Sequence, residues 1–403
     1  MRSLALVAAL VALPAAMADD SDYQSYTFSI PTYSTPHYYP DPAYSVTPKR
    51  TDFSVETVHS WGNLTDWEDN LSASASSFPE RRRPATYCSI GSRSFWIMGL
   101  GFTKDEASAS ETTLAMGRTT AHPSWTKDVL LYDEYGDLDA VVPYTLEENS
   151  ITPSNGMIHI PRTHCAQLDG GASKAVQFWD SWSNDASRGS FIMTYEIDET
   201  NGTITVVRPQ DLYSTRDDDE YTYGLFAAMT VQDVVYMYAL DSNYGSHDVH
   251  VAAAPVSTVT DKSTWTYYLA SNETWTSTEP LSTERRKADA VYSLPDTLSF
   301  VMDASMFNAG GSIFYSPYHD AYLMVFVTTE KENYFIVEYA ATPVGPWSTK
   351  RKTLWYNWST DSTAALATPS FLEVSDDGTG GKSLILTPAR STYVTQVLEL
   401  TFS

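Results

Sequence analysis

Residues 87–102 read YCSIGSRSFWIMGLGF: a strand of small and polar residues, a Gly-Ser turn, then a strand of bulky apolar side chains. The same shape returns at residues 159–182, 223–240, 311–328 and 367–389, ending in runs such as VQFWD, VVYMYA, YLMVFV and SLILTP. Third strands are expected at 190–197, 248–254, 334–341 and 393–402. Recurrence at a coarse spacing marks a repeated supersecondary unit. No apolar period of 3.6 persists over a dozen residues past residue 51, so the chain is expected to be all-β.

Five units of about 50–85 residues, each of three or four antiparallel strands, predict a single-domain five-bladed β-propeller over residues 51–403. Small residues in the leading strand suit a crowded axis, and bulky second strands suit the packing between blades. Two stacked sandwiches are the alternative. Residues 53–61 are expected to supply the strand that joins the C-terminal unit and closes the ring.

The 403 residues are 42% hydrophobic and 19% charged, with 13% aromatic, which excludes a largely disordered chain. Fifty acidic residues against 25 basic ones give a net charge of −25. That balance argues against nucleic acid and anionic membranes as partners, since both need a basic patch. At the N-terminus, Arg2, the apolar run 4–13 and Ala16-Met17-Ala18 read as a signal peptide over residues 1–18. No later stretch approaches the roughly 20 uninterrupted apolar residues of a membrane-spanning helix. A secreted, extracellular protein follows.

Residues 19–50 are rich in Tyr, Pro and Ser and end in Lys49-Arg50. They read as an extended tail: a propeptide removed at the dibasic pair, or an arm lying on the domain. Five N-x-S/T sequons, at Asn63, Asn70, Asn201, Asn272 and Asn357, suggest a glycoprotein. In an oxidising compartment the two cysteines, Cys88 and Cys165, are expected to form one long-range disulfide.

The segments GSIFYSP (311–317), YLMVF (322–326) and AATPVGPWS (340–348), with HVAAAPVSTVTDKSTW (250–265), resemble blades of the five-bladed propeller glycoside hydrolases. That group holds arabinanases, arabinofuranosidases, β-xylosidases and related secreted propellers. The resemblance spans about residues 85–400 as architecture. It implies an axial funnel with carboxylates from the first strands of successive blades. Two carboxyl groups must flank the glycosidic bond, about 5 to 10 Å apart depending on stereochemistry, and one of them must stay protonated.

This sequence departs from that pattern. The first unit is approached through Arg83-Pro84-Ala85 with no Asp, and the second through Asn155, Gly156 and His159, again without a carboxylate. Only the third approach is acidic, with Asp217-Asp218-Asp219-Glu220. By its role in the resemblance Glu220 is the candidate general acid, and Asp217, Asp219 or Asp52 the carboxylate that activates water or attacks. His159, Arg83, Asn308 and Asn155 are the candidate sugar contacts. The same acidic run also reads as a solvated loop.

No cofactor is expected. Asp217, Asp219 and Glu220 offer oxygen ligands to a structural calcium ion, but without EF-hand spacing. His247, Asp248 and His250 read as a chance cluster, since strand residues 247 and 250 point to opposite faces. The aromatics of FWDSW (178–182) and WYNW (355–358) suit either sugar stacking or blade packing, and packing explains most such residues. Lipase, metalloprotease, redox and nucleotide motifs are absent. The expected function is a monomeric secreted glycoside hydrolase acting on a cell-wall polysaccharide, with arabinose or xylose suggested by the resemblance. The alternative is a propeller that binds glycans without cleaving them.

Overall fold

The computed structural model describes residues 25–29, 44–63, 65–66, 83–90, 93–100, 113–116, 125–129, 131–132, 138–139, 158–168, 170, 173–183, 186–198, 200, 203–210, 212–215, 220–241, 248–281, 289–293, 311–328, 334–348, 352–355, 366–368, 381–391 and 394–403. Among them the regular structure is β-strand apart from two short 3-10 turns, Val256–Thr258 and Lys262–Thr264. The all-β expectation holds.

Five sheets of four or more strands succeed one another along the chain, with a separate two-stranded ribbon, Leu131–Tyr132 with Leu138–Asp139. The first runs Arg83–Ile90, Arg93–Leu100, Thr113–Met116 and Trp125–Val129, with Thr65–Asp66 parallel to the last of these. The second is built on Ile158–Pro161, Lys174–Ser183, Ala186–Asp198 and Thr203–Val207. The third uses Ala227–Val231, Val234–Asp241, Asp248–Pro255, Thr266–Leu269 and Thr274–Thr276. Ser312–Ser316, Ala321–Thr328, Tyr334–Ala340 and Lys352–Trp355 make the fourth, and Leu366–Thr368, Ser383–Ser391 and Val394–Phe402 most of the fifth. The expected second and third strands thus form in units two to five. Val55–Asn63 pairs antiparallel with Val394–Phe402 and completes the fifth sheet, as the sequence led us to expect.

The apolar second strands are buried on both faces. Successive side chains of a strand point to opposite sides. In Val234–Asp241, therefore, Val235, Met237 and Ala239 face a core shared with the second sheet, while Tyr236 and Tyr238 face one shared with the fourth. Ala321–Thr328 divides likewise: Tyr322, Met324 and Phe326 look to the third sheet, Leu323 and Val325 to the fifth. In Lys174–Ser183, Phe178 packs toward the third sheet and Trp179 toward the first, both fully buried. Full burial of each such side chain contributes about 1.5–3 kcal/mol. Phe178 and Trp179 of the FWDSW run are therefore packing residues.

The sheets meet in order. Arg93–Leu100 approaches Ile158–Pro161, Ala166–Gln167 approaches Ala227–Val231, Ala227–Val231 approaches Ser312–Ser316, and Ala321–Thr328 approaches Leu366–Thr368. The three later strands of the fifth sheet then return against Arg83–Ile90 of the first. No sheet closes on itself among the described residues; the succession of contacts runs between sheets. Cys88 and Cys165 are bonded, with Cα atoms 4.9 Å apart, and clamp the first sheet to the second. At Gly224, with φ 88, an added Cβ would lie 2.2 Å from the Phe178 ring, so only glycine lets the chain pass there into the third sheet.

Two parts of the tail segment 19–50 fall among the described residues. Ser25–Ser29 adds an outer strand to the second sheet, from Ser25 opposite Val207 to Ser29 opposite Thr203. Residues 44–54 lie along the fourth sheet, where Val46 donates to the Ala341 carbonyl and Lys49 to that of His319. Around the dibasic pair the chain takes the form of a docked arm. The segment 1–18 lies outside the described residues.

Candidate functional site

The leading strands of the five sheets hold no Asp or Glu within their bounds: RPATYCSI, IHIP with AQ, AAMTV, SIFYS and LAT. The chemistry they present is concentrated in the second sheet, between its two short leading pieces. There Arg162 donates through Nε and Nη2 to Asp180 Oδ2 at 3.0 and 2.8 Å, while Ser187 donates to Asp180 Oδ1 at 2.6 Å. Both charges are buried, so each needs the other and the added hydroxyl to offset lost hydration. Next along the chain, His164 Nε2 lies 3.2 Å from Ser312 Oγ of the fourth sheet. Leading segments of the second and fourth sheets, which are not consecutive, therefore touch.

Glu220 lies directly before the third sheet, but its contacts lead outward along that sheet. Its Oε2 accepts from the Thr215 amide at 2.9 Å, and its Oε1 pairs with the Lys262 ammonium at 2.7 Å. Lys262 sits in the second 3-10 turn and also pairs with Glu279 at 3.0 Å. Tyr267 donates its hydroxyl to the same Glu279 oxygen at 3.3 Å. Burial pushes the Glu279 carboxyl above the ordinary carboxylate range, Lys262 opposes that shift, and Glu220 adds to it. Two carboxylates that share one ammonium within hydrogen-bond reach stand about 6 Å apart or closer. Sequence reasoning singled out Glu220 and missed Lys262 and Glu279, which are brought to it by the third sheet's outer hairpin.

Asp52 is exposed on the docked arm, where it accepts from Ser54 at 3.2 Å. Its neighbours belong to the fourth and fifth sheets, and no contact among the described residues joins it to Glu220. His159 is buried with its ring against Phe191, centroids 5.0 Å apart, in the core between the first and second sheets. Arg83 opens the first sheet opposite Leu100. Asp217, Asp219, Asn155 and Asn308 lie outside the described residues, as do the sequons Asn70, Asn201 and Asn357. Asn63 ends the closing strand opposite Gln396. Asn272 is exposed at a hairpin tip, and Thr274 Oγ1 donates to its Oδ1 at 2.6 Å.

His250 stacks on Tyr221 at 4.2 Å beside Asp248 and Asp289. Burial holds the imidazole down to about 4, against the pull of the two carboxylates. His247 lies outside the described residues, and among those described no group of three or more His, Cys, Asp or Glu is arranged to hold a metal ion. Among the described residues no helix is long and apolar enough to cross a membrane.

No protein-family model and no curated protein matches this sequence. Among solved structures, the chain is similar to a protein from Bacteroides ovatus provisionally described as a hydrolase, with 13% identity and a TM-score of 0.55, covering 88% of this chain and 93% of that one. It is also similar to Zg3597, a family 117 glycoside hydrolase of the marine bacterium Zobellia galactanivorans, at 11% identity and a TM-score of 0.46, covering 87% and 92%. At such identities the likeness to the Bacteroides protein is one of fold, and the weaker match carries no argument.

Proposed function

We propose that the protein is a five-bladed β-propeller of the glycoside hydrolase type, exported from the cell, that works on a cell-wall polysaccharide. The observation that carries this reading is the cyclic succession of contacts: five β-sheets, antiparallel but for Thr65–Asp66 in the first, each packed on the next, with the fifth returning to the first and completed by Val55–Asn63. Such a ring leaves its ligand site at the axis, where the approaches to the leading strands converge. The fold shared with a protein provisionally described as a hydrolase agrees with it. In this reading Glu220 is one of two working carboxylates, Asp217 or Asp219 the other, and Arg83, Asn155 and Asn308 face the sugar. Arabinose- or xylose-containing chains are the first substrates to try, and the sequons carry glycans.

A second reading is favoured by two specific observations. The described leading strands are free of carboxylates, and both Glu220 oxygens are already taken by Thr215 and Lys262. A propeller that binds glycan without cleaving it accounts for both. The test incubates the secreted protein and its Glu220→Gln variant with plant, fungal and bacterial wall polysaccharides, reading released oligosaccharides by mass spectrometry. Release abolished in the variant supports the hydrolase with Glu220 at its centre. Release that survives removes Glu220 from the chemistry. Retention on a polysaccharide with no release from either protein selects the binding propeller.

A further inference from the structure

The turn between the first two strands of the fourth sheet carries a histidine with an unusual environment. His319 is 1% exposed, and neither ring nitrogen has a hydrogen-bond partner. Phe53 of the docked arm covers it at 4.7 Å between ring centroids, Phe402 meets it edge-on at 4.7 Å, and Tyr318 at 5.1 Å. This is an apolar box that suits a neutral imidazole and penalises a charged one. Part of its wall is the arm that carries the dibasic pair.

Besides the backbone bonds of Val46 and Lys49, the arm is held at the dibasic pair by side-chain contacts. Lys49 pairs with Asp320 at 2.8 Å, and Arg50 lays its guanidinium over the Tyr318 ring, 4.3 Å from the centroid, while donating to the Tyr318 carbonyl. Phe53 has φ 45, a left-handed conformation costly for a side chain of this size, and the burial of its ring offsets that cost. A protease that cuts after paired basic residues needs both side chains in its own pockets and several residues on either side extended in its cleft. With Arg50 on Tyr318 and Phe53 in the core, the docked arm denies it both.

We propose that the Arg50–Thr51 bond, solvent-exposed but held in a docked conformation that a protease cannot take up, is a latent processing site, released when acid charges His319 and lifts the arm from Lys49 to Phe53. Cleavage there is hydrolysis of one peptide bond by a serine protease specific for paired basic residues. It leaves Ser25–Ser29 on the second sheet and Tyr44–Arg50 on the fourth with no covalent link to the domain.

The charges around His319 favour this direction. Arg50, on the arm, opposes a second positive charge; Asp52, also on the arm, is the one carboxylate that attracts it and is exposed. Tyr318 and Asp320 lie on its own turn, Lys49 faces Asp320, and Phe402 and Tyr339 of the other packed strands carry no charge. Burial first, then Arg50, holds the imidazole at about 4 in place of 6.5. The docked arm is therefore fully favoured above the free value and loses ground as the pH falls from there toward 4. Asp320, held below the ordinary carboxylate range by Lys49 and Tyr315, stays ionised in this window, so its own titration does not release the arm.

The experiment incubates the folded chain with a Lys-Arg-specific processing protease across the window. The appearance of Thr51 as a new N-terminus is followed by mass spectrometry, and each rate is divided by that of a free peptide of residues 45–55. The normalised rate is expected to rise about thirtyfold from about pH 7.5 to about pH 5. His319→Phe keeps the box filled and flattens that rise, and Phe53→Ala makes the site cleavable at neutral pH. Cutting of the wild-type chain at the peptide's rate at neutral pH overturns the proposal. So does no cutting in acid, a rise that persists in His319→Phe, or resistance that persists in Phe53→Ala.

Discussion

Gln177 of the second sheet and Thr86 of the first are joined by a 2.6 Å hydrogen bond between side chains that are both fully buried. The same amide nitrogen donates to the Thr163 carbonyl at 2.7 Å, and the amide oxygen accepts from the Tyr195 hydroxyl at 2.7 Å. One side chain thus satisfies three groups, two on strands and one in the connection between the second sheet's leading pieces, beside the disulfide that clamps the same two sheets. Gln177→Leu leaves the Tyr195 hydroxyl and the Thr163 carbonyl without this partner in a dry interface. A loss of about 2–4 kcal/mol is expected, read as a lower urea midpoint at unchanged slope. A loss below about 0.5 kcal/mol would show that water or a rearranged neighbour replaces the amide.

Arg162 and Asp180 give a sharper comparison, because a buried ion pair is costly to break and cheap to replace. Arg162→Met alone strands the Asp180 carboxylate, and Asp180→Leu alone strands the guanidinium; each is expected to cost about 3–5 kcal/mol. The double variant is expected to recover most of that loss. Additive losses in denaturation experiments would mean that the two side chains act independently, against the 2.8 Å contact.

His250 predicts a pH dependence of the fold itself. Its folded value near 4 lies below the free value of 6.5, so the unfolded chain binds the extra proton more readily. Stability is therefore full above about pH 6.5 and falls on acidification toward pH 4, by about 3 kcal/mol if the site titrates alone. His250→Phe preserves the stacking on Tyr221 and removes this component. The check is chemical denaturation of both proteins at about pH 7 and about pH 4.5. Equal acid sensitivity of the two would assign the effect to other groups.

What could be read beforehand followed one physical rule. Runs such as VVYMYA and YLMVFV are apolar on both faces because each serves two cores at once, and that continuity made the second strands legible. The pairing of Val55–Asn63 with the C-terminal strand was expected on another ground, since a ring of repeated units needs a strand that joins its two ends. Thr113–Met116, Trp125–Val129 and Ser25–Ser29 escaped notice: they lie outward in their sheets, where backbone pairing suffices and side chains need no pattern. The site was less legible. Glu220 stood out as part of an acidic run, but Lys262 and Glu279 reach it through the fold of the third sheet's outer hairpin. Arg162 and Asp180 reveal themselves as partners only once Ile158–Pro161 lies against Lys174–Ser183. His319 gave no signal at all, because an apolar box assembled from residues 53, 318 and 402 has no local pattern.

The joining of Val55–Asn63 to Val394–Phe402 has a consequence for biogenesis. The first of these strands leaves the ribosome early and its partner after every other strand described. While sheets one to four can each assemble as they emerge, the fifth must wait for synthesis to finish. Through that interval the early strand has an unmated edge, which invites pairing with the wrong neighbour or with another nascent chain. Closure over so long a separation is also the slowest kind of contact to form. Completion of the fifth sheet is thus a pairing between segments more than 300 residues apart, open only once Val394–Phe402 has been made.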